Sequence, residues 1–380
     1  MKRLQHILLI SVVVLAASCS KHIPDPGQPG SPSSSRSYIF FEPEVTENVG
    51  TRTTMVEGTS LPTASGTSFG VTGYVGSNAI FTGYTDGIAE VYRIDEGAEA
   101  PFSYSSLAAW ANSTSSHSFY AFYPYTLLGK VGVRGQMPYI AYTQPTDQSE
   151  MTDILTASLS TAKRPIVTLT FQHRLWALDL TVANTRTVKE KIYNPETGSY
   201  DQYDPVLKVK SVKLELDQLP KSGNINLDGS LDLPDLTVAA NTLGLVKTYT
   251  YTDKVLASGD KFTLNESDSF LFLPCGSFRY RLTVELENVP LGLSYTCHHP
   301  STFVADSEGN PILDSNGQTQ WDWATAQGPG SAGFAAGRRY TLDIVRPNGT
   351  DIELKWIATD WGYWEDDKWE EEVDVEHEFN

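Results

Sequence analysis

Cysteine is scarce in this 380-residue chain, which has only three: Cys19, Cys275 and Cys297. No Cys-x-x-Cys pair occurs, so neither a zinc knuckle nor a thioredoxin-type redox centre can be built locally. Basic residues are also few. Lys and Arg number 28 against 46 Asp and Glu, giving a net charge of −18. That balance excludes nucleic acid as a partner, because a phosphate backbone is bound through a basic surface that releases its counterions. It equally disfavours electrostatic docking on anionic lipid, and suits an acidic, soluble exported surface. Long apolar runs are missing: the longest stretch, Ile7 to Ala17, is too short to span a bilayer. Amphipathic helical periodicity is hard to find anywhere.

The signatures of catalysis are missing as well. The seven histidines are scattered, and no His-x-His or His-Glu-x-x-His spacing exists. His298 and His299 stand beside Cys297, but adjacent residues of a strand point to opposite faces, so the three cannot converge on one metal. Asp306-Ser307-Glu308-Gly309-Asn310 and Asp314-Ser315-Asn316-Gly317 look like pieces of a calcium loop without its closing Glu, and read as two turns of a long hairpin loop. Ser/Thr-rich turns such as Gly58-Thr59-Ser60 lack the strand-to-helix context of a nucleophile elbow. No phosphate-binding glycine loop precedes a helix. The expectation is a protein without cofactor, metal or enzymatic activity.

What is present begins at the amino terminus. Lys2 and Arg3, the apolar run and the small residues Ala16, Ala17 and Ser18 read as a cleaved export signal over residues 1–18. The small-residue turn ending in Cys19 resembles a lipobox, whose Cys takes a diacylglycerol, although the usual Leu sits one place early at Leu15. Lys21 to Ser35 then forms a Pro/Gly/Ser tether. With Cys19 lipidated, Cys275 and Cys297 remain; they are either bridged, as an exported compartment permits, or two buried thiols.

After the tether, period-two alternation dominates. Val167, Leu169 and Phe171 alternate with polar residues, as do Trp176 to Val182, Phe278 to Leu286, Tyr340 to Ile344 and Ile352 to Trp356. One face for a core and one for water predicts antiparallel sheets packed as sandwiches. Turn chemistry separates the strands at 194–198, at Asp228-Gly229 and at Pro347-Asn348-Gly349. A polar stretch between Ala183 and Pro205 marks a boundary, giving β-domains over 53–183 and 184–380, and 301–333 reads as loop. Trp321 and Trp323 would share a strand face, where exposed rings could stack on sugars and buried ones would serve the core. The segment Asp360 to Asn380 holds ten acidic residues against Lys368 alone. Within it Val373, Val375 and Phe379 fall on one face of a strictly alternating run, the pattern of a strand rather than a solvated tail.

These residues, taken in order, resemble the fimbrillin family, the lipoprotein precursors of type V pili. Ser118 to Tyr125 resembles its aromatic strand ending in Tyr-Pro. Asp153 to Thr156 followed by Ile166 to Val182 resembles its Asp-Leu-Leu element and Phe-x-His strand pair, and Ala336 to Trp361 its closing segment. The resemblance implies an all-β chain of two transthyretin-like antiparallel β-sandwich domains in tandem. It implies assembly with other pilin subunits, at the cell surface, after export as an outer-membrane lipoprotein. Residues 19–52 would hold the lipidated tether and a removable first strand, Tyr38-Ile39-Phe40-Phe41. Proteolysis after Arg52, with Arg36 the competing site, would remove that strand. A donor strand carrying Val373, Val375 and Phe379 from another subunit would fill the vacated groove. The role implied is a structural, tip or accessory pilus subunit serving adhesion. A lipid-retaining anchor of the same family and a surface glycan-binding lipoprotein, meeting a host or glycan ligand, are the alternatives.

Overall fold

Alternation along the chain is realised as strands throughout the computed structural model, which describes residues 37–45, 61–62, 67–95, 101–111, 114–265, 269–329, 333–346 and 352–360. Helical structure among the described residues is limited to four 3-10 turns, the longest being Tyr125–Lys130. No helix there is long and apolar enough to cross a membrane. Residues Tyr38–Asn380 group into one compact unit.

The first sheet runs in the order Phe41–Val45, Val167–His173, Leu155–Thr161, His117–Tyr123, Ser68–Val75, Ala89–Arg93, Phe102–Ser103, with Asn78–Ala79 attached to Ser68–Val75. Its pairings are antiparallel except the outermost, in which Phe41–Val45 lies parallel to Val167–His173. Phe41, Val45, Phe69, Val71, Ala89, Val91, Phe119, Ala121, Leu155, Ala157, Val167, Leu169 and Phe171 form the sheet's share of the smaller core cluster, which also takes Ile39.

The second sheet has the order Lys261–Thr263, Trp176–Asn184, Arg338–Arg346, Glu353–Asp360, and Phe270–Phe272 also pairs with Trp176–Asn184. The third runs Thr242–Leu256, Leu207–Pro220, Ser277–Asn288, Leu293–His299, with Ala324–Gln327 beside Ser277–Asn288. These two contribute most of the larger core cluster. At its centre Trp176 is fully buried, with ring centroids 4.8 Å from Phe334, 4.9 Å from Phe272, 5.5 Å from Tyr340 and 5.7 Å from Phe278. Its indole N–H donates to the Leu273 carbonyl at 2.9 Å, which lets a Trp be wholly buried without an orphaned donor.

Trp176–Asn184 departs from the expectation of one wet face, because all nine of its residues are buried. It pairs in parallel with Arg338–Arg346 over eight residues, and a parallel pair covered on both sides has no solvent face. Its polar side chains are consequently all tied. Asp179 accepts from Asn265 and Ser269, Thr181 donates to Asp343, and the Asn184 amide donates to the carbonyls of Pro205 and Leu256.

A smaller sheet joins early and late sequence: Met137–Thr143 pairs with Val131–Arg134 on one side and with Ser222–Asn226 on the other. The polar stretch 184–205 is not irregular. It forms a two-stranded ribbon, Glu190–Asn194 against Ser199–Tyr203, closed by a turn in which Gly198 adopts φ +64°. Asp153 and His173, which belong to separate motifs in the sequence, meet in a buried hydrogen bond at 2.9 Å and tie the start of one strand to the end of its neighbour.

Candidate assembly groove

Residues 38–45 alternate without a break. Ile39, Phe41, Pro43 and Val45 point inward and are buried, whereas Tyr38, Glu42 and Glu44 are exposed. Period two therefore gives this strand an apolar inner stripe and an acidic outer one. Phe41 inserts among aromatics, its ring centroid 5.4 Å from Phe119, 5.9 Å from Tyr104 and 6.2 Å from Phe81. Burying three such side chains contributes about 2 kcal/mol each.

Backbone bonds hold the strand on both flanks, but in different stretches. Phe41–Val45 follows Val167–Phe171 residue for residue, and the Phe40 carbonyl accepts from the Val167 N–H at 2.8 Å. On the other flank Tyr38 bridges to Ala109, and the Ile39 N–H donates to the Ala108 carbonyl at 2.9 Å. Tyr104 locks this end. Its hydroxyl donates to the Ile39 carbonyl at 2.6 Å and accepts from the Ala108 N–H at 3.2 Å, and burial pushes its phenol pKa well up. Taken away, the strand would leave an apolar trough along Val167, Leu169 and Phe171, with unpaired backbone groups on one wall and the Tyr104 hydroxyl at its head. Such a trough fits an incoming β-strand.

Tyr104 was not foreseen. It lies in a short irregular stretch where no alternation singles it out. The first strand also extends beyond the expected Tyr38-Ile39-Phe40-Phe41, since its ladder begins at Phe41 and runs to Val45.

Cys19, Arg52, Arg36, Val373, Val375 and Phe379 lie outside the described residues. Cys275 and Cys297 are not bridged by a disulfide; the first is buried and the second half-buried. Burial pushes the Cys275 thiol up to about 12, so it stays protonated and unreactive.

The remaining motifs resolve into local structure. His298 and His299 do face opposite ways. His298 lies against the Trp321 ring at 3.9 Å on the outer side, whereas His299 stacks on Tyr280 at 5.7 Å and bonds its hydroxyl at 3.2 Å. Trp323 covers the guanidinium groups of Arg279 and Arg281, so each Trp has one face spoken for. Asp306 and Asp314 each use a side-chain oxygen to accept N–H groups two and four residues on, which makes them tight turns. Among the described residues no group of three or more His, Cys, Asp or Glu is placed to hold a metal ion.

One pH effect follows from the histidines. Burial lowers the pKa of His299 below its ordinary value, so the unfolded chain takes up the proton first. Stability from this residue is full above about pH 6.5 and is lost as pH falls through that value towards the lower folded pKa. His299→Phe keeps a ring on Tyr280 without the titration. The urea midpoint should therefore drop less between pH 7.5 and 5.5 in the variant than in the parent, and equal drops would remove His299 from the account.

A family model described as fimbrillin-like matches residues 51–361. Among solved structures, a fimbrial protein from Bacteroides vulgatus shares the fold at 13% identity, covering 85% of this chain and 99% of that one with a TM-score of 0.50. A fimbrilin from Porphyromonas gingivalis aligns at 10% identity over 86% of this chain and 97% of its own, with a TM-score of 0.39. The fimbrial anchor protein Mfa2 of Porphyromonas gingivalis does so at 10% over 86% and 98%, with a TM-score of 0.33. No curated protein matches the chain.

Proposed function

This chain belongs to the fimbrillin-like family, and we propose that it is a pilus subunit, of shaft, tip or accessory type, exported as a lipoprotein and polymerised by strand exchange. Cys19 carries the lipid that holds the precursor on the outer membrane. Proteolysis after Arg52 releases the segment that contains Phe41–Val45, and the strand of another subunit bearing Val373, Val375 and Phe379 takes its place. The mature subunit then stands at the cell surface as part of a fimbrium that serves adhesion to host or glycan ligands. Two sandwich units, 53–183 and 184–380, make up the subunit, with Trp176–Asn184 contributing its side chains to the second core.

The observation that carries this reading is the first strand itself. It is the outermost strand of its sheet, has a single ladder, and fills an aromatic trough with four alternate residues. Its character also accounts for the acidity of the donor. Glu42 and Glu44 already face outward from the groove, so a replacement with Asp374, Glu376 and Glu378 on its outer face presents the same charge in the same direction. The apolar stripe of Val373, Val375 and Phe379 can then sink where Phe41, Pro43 and Val45 lie.

Intact-mass analysis of protein shaved from the cell surface tests the reading, with a new amino terminus at Thr53 expected. An unprocessed, lipid-bearing mass would favour the anchor alternative. Separately, Cys19→Ala should lose fatty-acid labelling and membrane retention altogether. Unchanged membrane fractionation of that variant would remove the lipoprotein step.

A further inference from the structure

Arg346 is the last residue of the strand Arg338–Arg346 and is only 6% exposed. Its guanidinium lies 4.1 Å above the ring of Tyr295, and neither its Nε nor its Nη1 has a hydrogen-bond partner. The Tyr295 hydroxyl is buried without a partner as well. Across the ladder Arg346 pairs with Asn184, and two residues further on stands Arg186, whose Nε is likewise buried and unpartnered. The carboxylate at this cluster, Glu190, is engaged by Arg186 at 2.9 Å and by the Asn288 amide at 2.8 Å. Burial, and then the neighbouring Arg186, push the Arg346 pKa down to about 10, with Glu190 opposing.

Two guanidinium groups against one carboxylate leave a single positive charge largely withdrawn from water. An unpaired buried cation is costly, and buried donors are normally satisfied. The free guanidinium groups can only donate and the Tyr295 hydroxyl is able to donate, so the missing partner is an acceptor with one negative charge. A carboxylate meets both conditions, whereas a dianion would reverse the sign of the site.

We propose that Arg346, Arg186 and the Tyr295 hydroxyl form a recessed oxyanion site that takes one carboxylate. Two sources share that chemistry: a small free carboxylate, and an Asp or Glu side chain from the acidic segment 360–380, which holds ten of them.

The test uses the full chain labelled with 15N in arginine, with the Arg346 Nε–H signal identified by its loss in R346K. Acetate at constant ionic strength should shift that signal saturably, and chloride should not. Y295F, which keeps the ring under the guanidinium, should weaken the acetate response about tenfold. A peptide of residues 361–380 that acts at concentrations at least tenfold below acetate identifies the acidic segment as the source; a peptide no better than acetate identifies a free carboxylate. Where the chain's own segment already fills the site, converting its carboxylates to amides moves the signal without any added anion. A signal indifferent to acetate, peptide and amide conversion overturns the proposal. So does a signal that responds only in D351N, because the partner would then be the chain's own Asp351, five residues on in sequence.

Discussion

Deleting residues 372–380 is expected to abolish fibre formation and leave a folded, soluble monomer. The chain's own first strand fills the groove described above, so on the proposed mechanism a precursor that keeps it has nothing to gain from a donor. After removal of that strand, Ile39, Phe41 and Val45 vacate the aromatic trough, and about 6 kcal/mol of burial is forfeited until another strand enters. Without Val373, Val375 and Phe379 no such strand is at hand, and polymer yield should fall below detection in negative-stain images. Arg52→Ala should reach the same end from the other side, because the trough is never vacated: the lipidated precursor accumulates and no fibres appear. Unfolding of the second core in the deletion variant would instead assign the last strand to its own subunit. Stable monomers at high concentration after correct trimming would move the chain from shaft to capping or anchoring.

The second large effect concerns stability. Trp176→Ala removes the side chain around which Phe272, Phe278, Phe334 and Tyr340 are arranged, and leaves the Leu273 carbonyl without its donor. Deletion of a fully buried Trp costs about 3–5 kcal/mol from transfer and cavity terms, a large part of the total stability of a domain. Trp176→Phe retains most of the volume and should lose roughly half as much. Urea titration followed by far-ultraviolet circular dichroism gives both numbers. A loss below about 1 kcal/mol for Trp176→Ala would show that the cluster repacks around the gap, contrary to its dense aromatic lining.

The strands that sequence reading found most readily have two unlike faces. Phe278 to Leu286 alternates buried with partly exposed residues, as its pattern of apolar and charged side chains requires. Val167 to Phe171 does the same. Trp176–Asn184 carries the same alternation, yet its polar members are inside. Alternation records side-chain type, and here Asp179, Thr181 and Asn184 are polar because they brace neighbouring strands, not because they meet water. Strand direction was equally illegible, since a period of two is identical for parallel and antiparallel ladders. The ribbon Glu190–Asn194 and Ser199–Tyr203 escaped notice for the opposite reason: it belongs to no core, and Tyr193 and Tyr200 are exposed, so no apolar face marks it. At the groove, the resemblance marked Tyr38-Ile39-Phe40-Phe41 but not the buried stripe that runs on to Val45, and Tyr104 required knowing which loop folds back over Ile39.

The placement of Trp176–Asn184 also sets the tempo of folding. Its three strand partners are Lys261–Thr263, Phe270–Phe272 and Arg338–Arg346, and the nearest begins more than 70 residues later in the chain. The parallel partner begins about 160 residues after Trp176. A ribosome adding about 5–20 residues per second takes about 10–30 s to supply it. Until Lys261–Thr263 and Phe270–Phe272 have been made, an apolar, β-prone segment, Trp-Ala-Leu-Asp-Leu-Thr-Val, has none of its mates, and until Arg338–Arg346 follows it lacks its longest one; contacts of such separation form slowly even once the chain is complete. Exposed apolar strands of this kind are prone to aggregate during synthesis, so depletion of holding chaperones is expected to produce aggregates seeded by this stretch.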